Sequence, residues 1–412
     1  MTGVDRLFSP SSITVVGCSG LKGELELYSR LFTTLKKNVS GLERVTVVET
    51  TGKERIPKAD LLITVLPEKM LLNQVGLIRP KNAEYMLIMG DLSEETAAHI
   101  KELVHRKGIV PVGPGADPGV GNGWSDLPIL SCEGQNIGRK GISVICQDPS
   151  LGYSILAASE ERRISLGKFL CMGSSDVEIY KEVIRYLVSD RETEVICIQI
   201  SDTLINRGML EAMKKAAAVK PLITLYTGSG DRIIMSAIKQ IGAIQTEESE
   251  TLLRVAAVLL NARMDGNRIA VVTNAPGAVG ILKRKLVGEG LQMVAPSAEA
   301  LKKISKHGVV SESGAFTVGA DPNAIKHVVK EISQRPEIDA VIFALSLERS
   351  TLRIDDICRM DNKVKKPVLG WIIGRGKTVL TENLWCPIIS SSPDEVAEIA
   401  RAIHEFSART KK

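Results

Sequence analysis

Short runs of β-branched and aliphatic residues recur along the chain, separated by stretches whose apolar positions repeat at helical spacing. A first set reads ITVVGC (13–18), RVTVVE (44–49), LLITVL (61–66), YMLIMG (85–90) and IVPVG (109–113). A second reads ISVIC (142–146), GKFLCM (167–172), VICIQI (195–200), PLITLY (221–226) and a weaker AIQT (243–246). A third reads RIAVVTN (268–274), LQMVAP (291–296), AVIFALS (340–346), PVLGWIIG (367–374) and PIISS (387–391). Runs that are continuously apolar, rather than alternating, predict parallel strands buried on both faces. Segments such as EVIRYLVSD (182–190) and EVAEIARAIHEF (395–406) predict helices between or after strands. Strand–helix alternation of this kind predicts right-handed βαβ units and doubly wound sheets.

Two punctuating segments divide the sets. GPGADPGVGNGWSDLP (113–128) carries too much Gly, Pro and Asp for regular structure. NARMDGN (261–267) ends a long helix ahead of the third set. The expected fold is therefore α/β, with three doubly wound parallel-sheet domains at 1–134, 135–263 and 264–412. The repetition is one of architecture, with a period too long for a solenoid.

Composition narrows the class of protein. Apolar residues make up 44% and charged residues 25% of the 412, an ordinary globular mix that excludes wholesale disorder. Aromatics are 4%, too few for the stacking platforms of a single-stranded nucleic-acid binder. A net charge of +5 over this length is too weak to imply a polyanion partner. No apolar run approaches the roughly 18 residues of a membrane-spanning helix. The opening MTGVDRLFSP lacks the charged-then-apolar layout of a signal peptide. Cys18, Cys132, Cys146, Cys171, Cys197, Cys358 and Cys386 are odd in number and form no C-x-x-C pair, so reduced cysteines in a cytoplasmic protein are expected. The five histidines are scattered, and spacing assembles no metal site.

Ligands of open α/β sheets bind beyond the carboxyl ends of strands, so the loop after each set's first strand is a candidate site. In GCSGLKGE (17–24), Gly17, Gly20 and Gly23 let the backbone approach a phosphate, Ser19 offers a hydroxyl and Lys22 a charge. The spacing is not the dinucleotide G-x-G-x-x-G, and a tight βα turn without a ligand fits equally well. In CQDPSLGYSIL (146–156), Asp148 or Ser150 caps the next helix and Gly152 permits close approach, either for an anion or for packing. In TNAPGAVGILKRKL (273–286), Asn274, Gly277 and Gly280 lead into a basic helix whose Lys283, Arg284 and Lys285 read as a solvated face. His307 stands in SKHGVVSESGAF (305–316) beside Ser311, Glu312 and Ser313; with no G-x-S-x-G elbow and no placed aspartate, it reads as an exposed loop histidine. His99, His105, His327 and His404 fall on amphipathic helices and read as surface residues.

In order along the chain, these segments resemble the α subunit of NDP-forming acyl-CoA synthetases, the ADP-forming acetate–CoA ligase branch of the succinyl-CoA synthetase superfamily. LFSPSSITVVGCS (7–19) looks like the family's lead into its first CoA-binding strand, and VLP (65–67) its later V-P. GIVPVGPG (108–115) is similar to an I-G-P-N-C turn, with Gly115 and Ala116 in place of Asn-Cys. GKFLCMGSSDVEIYKEVIRYLVSDRETEVICIQI (167–200) resembles the S-x-G-N-x-x-D segment and the strand after its next helix, with Gly173 and Asp176 in matching places. GNRIAVVTNAPGAVGILKRKLVGEGLQ (266–292) resembles the start of the family's third α-subunit domain.

The resemblance implies a Rossmann-like CoA-binding domain followed by two flavodoxin-like domains. It also implies joining of an acid to CoA through an acyl phosphate and a phosphohistidine. Gly17, Ser19, Pro67 and Gly113 match positions lining the CoA site, and the helix after Ser150–Gly152 would stabilise a phosphoryl group. With Gly20, Lys22 and Gly23 these form the candidate cofactor-binding set; no catalytic or metal residue is assigned. The departures are large. PLITLYTGSGD (221–231) runs directly into RIIMSAIKQIGAIQ (232–245) where the family carries its histidine loop, and no histidine occurs between 106 and 306. Ser201 stands at the expected glutamate, with Asp202 beside it. No ATP-grasp domain is read in the sequence, so the expected partners are an ATP-grasp β-type subunit or further copies of the chain, with no nucleic acid and no membrane. Three functions are then open: a CoA-binding noncatalytic or regulatory subunit; an acyl or carbamoyl transferase using an acyl phosphate; and an active acid–CoA ligase subunit completed by His307 or by a partner chain.

Overall fold

The computed structural model describes residues 3–39, 43–51, 53–120, 141–161, 164–261, 263–310, 314–319, 321–347, 366–374, 389–390 and 392–410. The chain forms two compact units, Met1–Glu160 with Ser165–Ser249, and Glu161–Ile164 with Glu250–Lys412.

The first unit holds two sheets. Its first sheet is made of β1 (Ile13–Gly17), β2 (Val45–Glu49), β3 (Leu61–Val65), β4 (Tyr85–Met89) and β5 (Val110–Val112). All run parallel, in the order β2-β1-β3-β4-β5. The helices are α1 (Asp5–Phe8), α2 (Glu26–Asn38), α3 (Glu68–Leu77) and α4 (Glu94–Arg106). Alternation along the buried strands sends Val15, Ile63 and Leu87 into one core with Phe32 and Leu35 of α2. It sends Val16, Leu62 and Ile88 into another with Leu71 and Val75 of α3 and Ile100 and Val104 of α4. Each such aliphatic or aromatic side chain contributes about 1.5–3 kcal/mol by leaving water. β2 departs from the expected two-sided burial. It is the sheet edge, and all of its residues are partly or fully exposed.

The second sheet comprises β6 (Asp117–Val120), β7 (Gly141–Cys146), β8 (Leu166–Cys171), β9 (Thr193–Ile200), β10 (Leu222–Tyr226) and β11 (Ile244–Thr246). Its order is β11-β10-β9-β7-β8-β6. Its helices are α5 (Pro149–Glu161), α6 (Val177–Ser189), α7 (Arg207–Ala217) and α8 (Arg232–Gln240). β6 corrects the reading of 113–128 as wholly irregular. It pairs antiparallel with β8 at the sheet edge, in an irregular register, where the missing N–H of Pro118 is tolerated. The first and second sheets are joined beside it. The Gly113 N–H donates to Ser175 Oγ at 2.7 Å, the Ser174 N–H donates to Pro114 O at 2.8 Å, and Lys101 pairs with Asp176 at 2.9 Å. Gly173 has φ +56°, and a Cβ there would collide with the backbone of Pro114 and Gly115.

The second unit contains α9 (Ser249–Asn261), β12 (Arg268–Thr273), α10 (Val279–Gly288), β13 (Gln292–Met293), α11 (Ala298–Ile304), β14 (Gly308–Val310), β15 (Phe316–Val318), α12 (Pro322–Ser333), β16 (Ala340–Ser346), β17 (Val368–Ile373), β18 (Ile389–Ser390) and α13 (Pro393–Thr410). The sheet order is β14-β15-β12-β16-β17-β18, with β13 also on β12. β14 and β15 form an antiparallel pair where the sequence read only a loop. Each spans too few residues to show a period. Among the described cysteines, Cys146, Cys171 and Cys197 are free and buried and Cys18 is partly buried; Cys132, Cys358 and Cys386 lie outside the described residues. No helix among the described residues is long and apolar enough to cross a membrane.

Candidate functional site

A doubly wound sheet opens a crevice where its strand order reverses. In the first sheet the reversal lies between β1 and β3. Gly17, the last residue of β1, is required by packing: a Cβ there would collide with the Phe32 ring, 2.1 Å from Cδ2. Gly20 and Gly23 adopt φ of +79° and +65°, with no atom within 4 Å of where a Cβ would stand. These two glycines therefore serve the turn and leave open space above it. The Gly20 N–H donates to Ser29 Oγ at 2.8 Å. Lys22 is exposed just before a single 3-10 turn, Gly23–Leu25, that leads into α2.

Ser19 does not point its hydroxyl at empty space. It donates to Glu49 Oε1, and Lys36 donates to the other carboxylate oxygen at 2.9 Å. The Ser19 hydroxyl first, then Lys36, hold the Glu49 carboxyl below its ordinary range. Across the reversal, Pro67 is the N-cap of α3. No side chain caps α2 and none caps α3. The helices on both sides of this crevice thus begin with backbone N–H groups that no capping side chain takes, the arrangement that favours an anion.

The remaining candidates lie elsewhere. Gly113, at φ +109°, follows β5, separated from β3 by β4, and its N–H is spent on Ser175. Ser150 and Gly152 belong to the second sheet. That sheet reverses between β7 and β9, and its crevice is closed by the protein's own side chains. Gln199 Oε1 accepts from the backbone N–H groups of Gln147 at 2.9 Å and Asp148 at 2.8 Å. Gln199 Nε2 donates to Thr227 Oγ1 at 2.8 Å. The Gln147 side chain spans the reversal, accepting from the Ser201 N–H at 2.8 Å and Ser201 Oγ at 2.9 Å and donating to Thr203 Oγ1 at 2.7 Å. Asp148, not Ser150, caps α5, accepting from the Leu151 N–H at 2.9 Å. Ser150 is exposed in the first turn. Gly152 lets α5 lie against β7 and β8, because a Cβ would sit 3.2 Å from Phe169 and 3.6 Å from Cys146.

Beyond β10, residues 227–231 pass straight into α8, which Asp231 caps. Asp202 fastens this short connection, accepting from the Tyr226 hydroxyl and from the Ser229 N–H at 2.8 Å. The Tyr226 hydroxyl, followed by the Ser229 N–H, lowers the Asp202 carboxyl. Sequence reasoning missed Gln147, Gln199, Thr203 and Thr227. The available signal was Gln199 itself, a polar residue near the end of the otherwise apolar run VICIQI, and it is 1% exposed.

In the third sheet the reversal lies between β12 and β16, and Asn274 spans it. Its Nδ2 donates to Ser346 O at 2.9 Å and its Oδ1 accepts from the Ser346 N–H at 2.7 Å. Gly277 faces open space, and Lys283, Arg284 and Lys285 are exposed as expected. His307 ends a 3-10 turn ahead of β14, partly buried, its ring 5.2 Å from that of His327; Ser311, Glu312 and Ser313 lie outside the described residues. His404 corrects its surface assignment: it is partly buried on α13, and Nδ1 is buried without a hydrogen-bond partner. Among the described residues no group of three or more His, Cys, Asp or Glu is arranged to hold a metal ion.

Comparison with known proteins supplies independent findings. Residues 139–232 match the succinyl-CoA ligase like flavodoxin domain. Over 97% of each chain, the sequence is 24% identical to the α subunit of ADP-forming acetate–CoA ligase II from Pyrococcus furiosus. Over 82% of each chain, it is 20% identical to the α subunit of that organism's ligase I. The fold superimposes with a TM-score of 0.81 on the dinucleotide-forming acetyl-coenzyme A synthetase 1 of Candidatus Korarchaeum cryptofilum in complex with phosphate and ADP. That match covers 100% of this chain and 98% of the other at 18% identity, a likeness of fold.

Proposed function

We propose that this chain, which resembles the α subunits of NDP-forming acyl-CoA synthetases along nearly its whole length, is a CoA-binding subunit that does not carry out phosphohistidine turnover. The observation that carries the reading is the contrast between the two crevices of the first unit. The crevice of the first sheet is flanked by two helices without capping side chains. In the second sheet, the N–H groups of the β7–α5 turn are taken by Gln199. Phosphoryl relay needs a nucleophilic imidazole, and neither 147–151, 201–206 nor 227–231 contains a histidine. In this reading CoA occupies the first crevice near Gly17, Ser19, Gly20, Lys22, Gly23 and Pro67. The domains are 1–134, 135–263 and 264–412, and the partner is an ATP-grasp β-type subunit of the sort implied by relatives named as α subunits.

The test is one preparation of the full chain with two readouts. Calorimetry with CoA should show saturable binding. Incubation with γ-labelled ATP, or with acetyl phosphate and CoA, should leave no acid-labile, base-stable label on the chain, with or without an ATP-grasp protein. Absence of CoA binding overturns the first half of the reading. Label on any histidine overturns the second, and its loss in His307→Ala would restore an active ligase subunit.

A further inference from the structure

Glu49 gives the first crevice a chemical preference. It is the last residue of β2 and pairs in register with Gly17, which sets its carboxylate beside the start of the glycine turn. Ser19 Oγ holds one oxygen and Lys36 Nζ, at 2.9 Å, the other. The Ser19 backbone N–H adds a weaker interaction, yet the side chain is 43% exposed, and the roughly four acceptor positions of a carboxylate leave room for an incoming donor. Its position is therefore fixed before any ligand arrives. Lys36, the cation beside it, is already paired.

A second carboxylate stands in the turn after β2. Glu54 accepts from the Thr51 N–H at 2.8 Å and the Lys53 N–H at 3.1 Å. Both acids are felt on the other side of the glycine turn. After burial, Glu49 and then Glu54 push the Cys18 thiol up. In doubly wound nucleotide sites, an acid near the end of the second strand accepts hydrogen bonds from ribose hydroxyls, whereas a phosphorylated ribose is met by a cation.

Resting on the reading that this crevice binds CoA or a related nucleotide, we infer that it selects an adenosine whose 2′- and 3′-hydroxyls are both free over one bearing a 3′-phosphate. A 3′-phosphate removes a hydroxyl donor. It also brings about −1.5 to −2 of charge toward a carboxylate that is already fixed in place. A free diol instead donates to the exposed side of the Glu49 carboxylate.

The experiment titrates the full chain with CoA, dephospho-CoA and ADP by calorimetry. Dephospho-CoA should bind about tenfold more tightly than CoA, the size of a modest like-charge penalty at a partly exposed site. Glu49→Gln, which keeps a hydrogen-bonding side chain at an exposed position, should narrow the ratio to about twofold, mainly by improving CoA. Glu49→Lys should reverse it. CoA binding as tightly as dephospho-CoA or tighter overturns the inference and leaves the proposed function standing. A ratio unchanged in both variants overturns the role of Glu49. If neither ligand binds, the proposed function falls and the inference falls with it.

Discussion

The first and second sheets reverse strand order at the same topological place, between the first and third of their parallel strands, and furnish the resulting crevices in opposite ways. At the first, α2 and α3 start without side-chain caps, and two turn glycines face open space. At the second, Asp148 caps α5, Gln199 takes the two preceding N–H groups, and Gln147 bridges to Ser201 and Thr203. Every buried backbone donor must find an acceptor. A ligand at the second crevice would first have to break hydrogen bonds, each leaving a stranded group that costs about 1–3 kcal/mol. At the first, the Gly20 N–H is held by Ser29 and the Ser19 hydroxyl by Glu49, but the starts of α2 and α3 are left without a capping side chain. A glycine-containing βα turn therefore does not by itself define a site. What matters is whether the fold has already supplied the partners a phosphate would bring.

The largest test strikes the junction next to both sheets. Gly173→Ala places a Cβ against the Pro114 and Gly115 backbone at a positive φ. It should cost about 3 kcal/mol or more of stability by chemical denaturation. A loss below about 1 kcal/mol would mean that this contact is not held in solution.

Gln199→Ala addresses the closed crevice directly. It strands the Asp148 N–H, leaves the Gln147 N–H only the Gln199 backbone O at 3.2 Å, and removes a buried side chain, for an expected loss of about 2–3 kcal/mol. The freed Asp148 N–H and the weakly held Gln147 N–H should then bind inorganic phosphate, which should restore part of the melting temperature in the variant and none in the parent chain. Equal responses of the two proteins to phosphate would dissolve the contrast between the crevices.

Gly20→Val tests the open crevice. The residue has φ +79° and free space, so the variant should lose about 1–2 kcal/mol from backbone strain alone. The new methyls would project where a bound phosphate must approach, and CoA affinity should fall by at least about fivefold. Unchanged affinity would move the ligand away from this turn.

Much of this arrangement was legible in the residues. The buried strands were visible because their runs are continuously apolar, as in LLITVL and ISVIC. The glycine turn was visible because positive φ leaves few other choices. The short strands at 117–120, 308–310 and 316–318 were not, because pairing with a neighbour, rather than local propensity, makes them strands. The partners of Ser19 were hidden for a related reason. Glu49 lies 30 residues away in sequence and reaches Ser19 only because β2 lies beside β1. Gln199 looked like an oddity in an apolar strand until β7 was placed next to β9.

The smallest expected effect compares one carboxylate at each crevice. Glu54 lies beyond β2, and its carboxyl falls from the usual 4.5 to about 2, through the Thr50 hydroxyl first and then backbone N–H groups. Asp202 lies beyond β9 and is lowered from 3.8 by the Tyr226 hydroxyl first and the Ser229 N–H next. A carboxyl lowered by folding stabilises the native state fully above its unfolded value, and that contribution is lost as pH falls toward the folded value. The contribution of Glu54 should therefore start to fade as pH drops below 4.5 and be gone near 2, while that of Asp202 should begin to fade only below 3.8. Melting temperatures of Glu54→Gln and Asp202→Asn, measured against the parent chain from neutral to acidic pH, separate the two. Both variants should melt lower near neutrality, and both deficits should shrink in acid, that of Glu54→Gln at the higher pH. A deficit independent of pH would show that a carboxylate acts by packing alone. If Asp202→Asn recovered first, the short 227–231 connection would be held more weakly than its hydrogen bonds imply, and the second crevice would be the looser of the two.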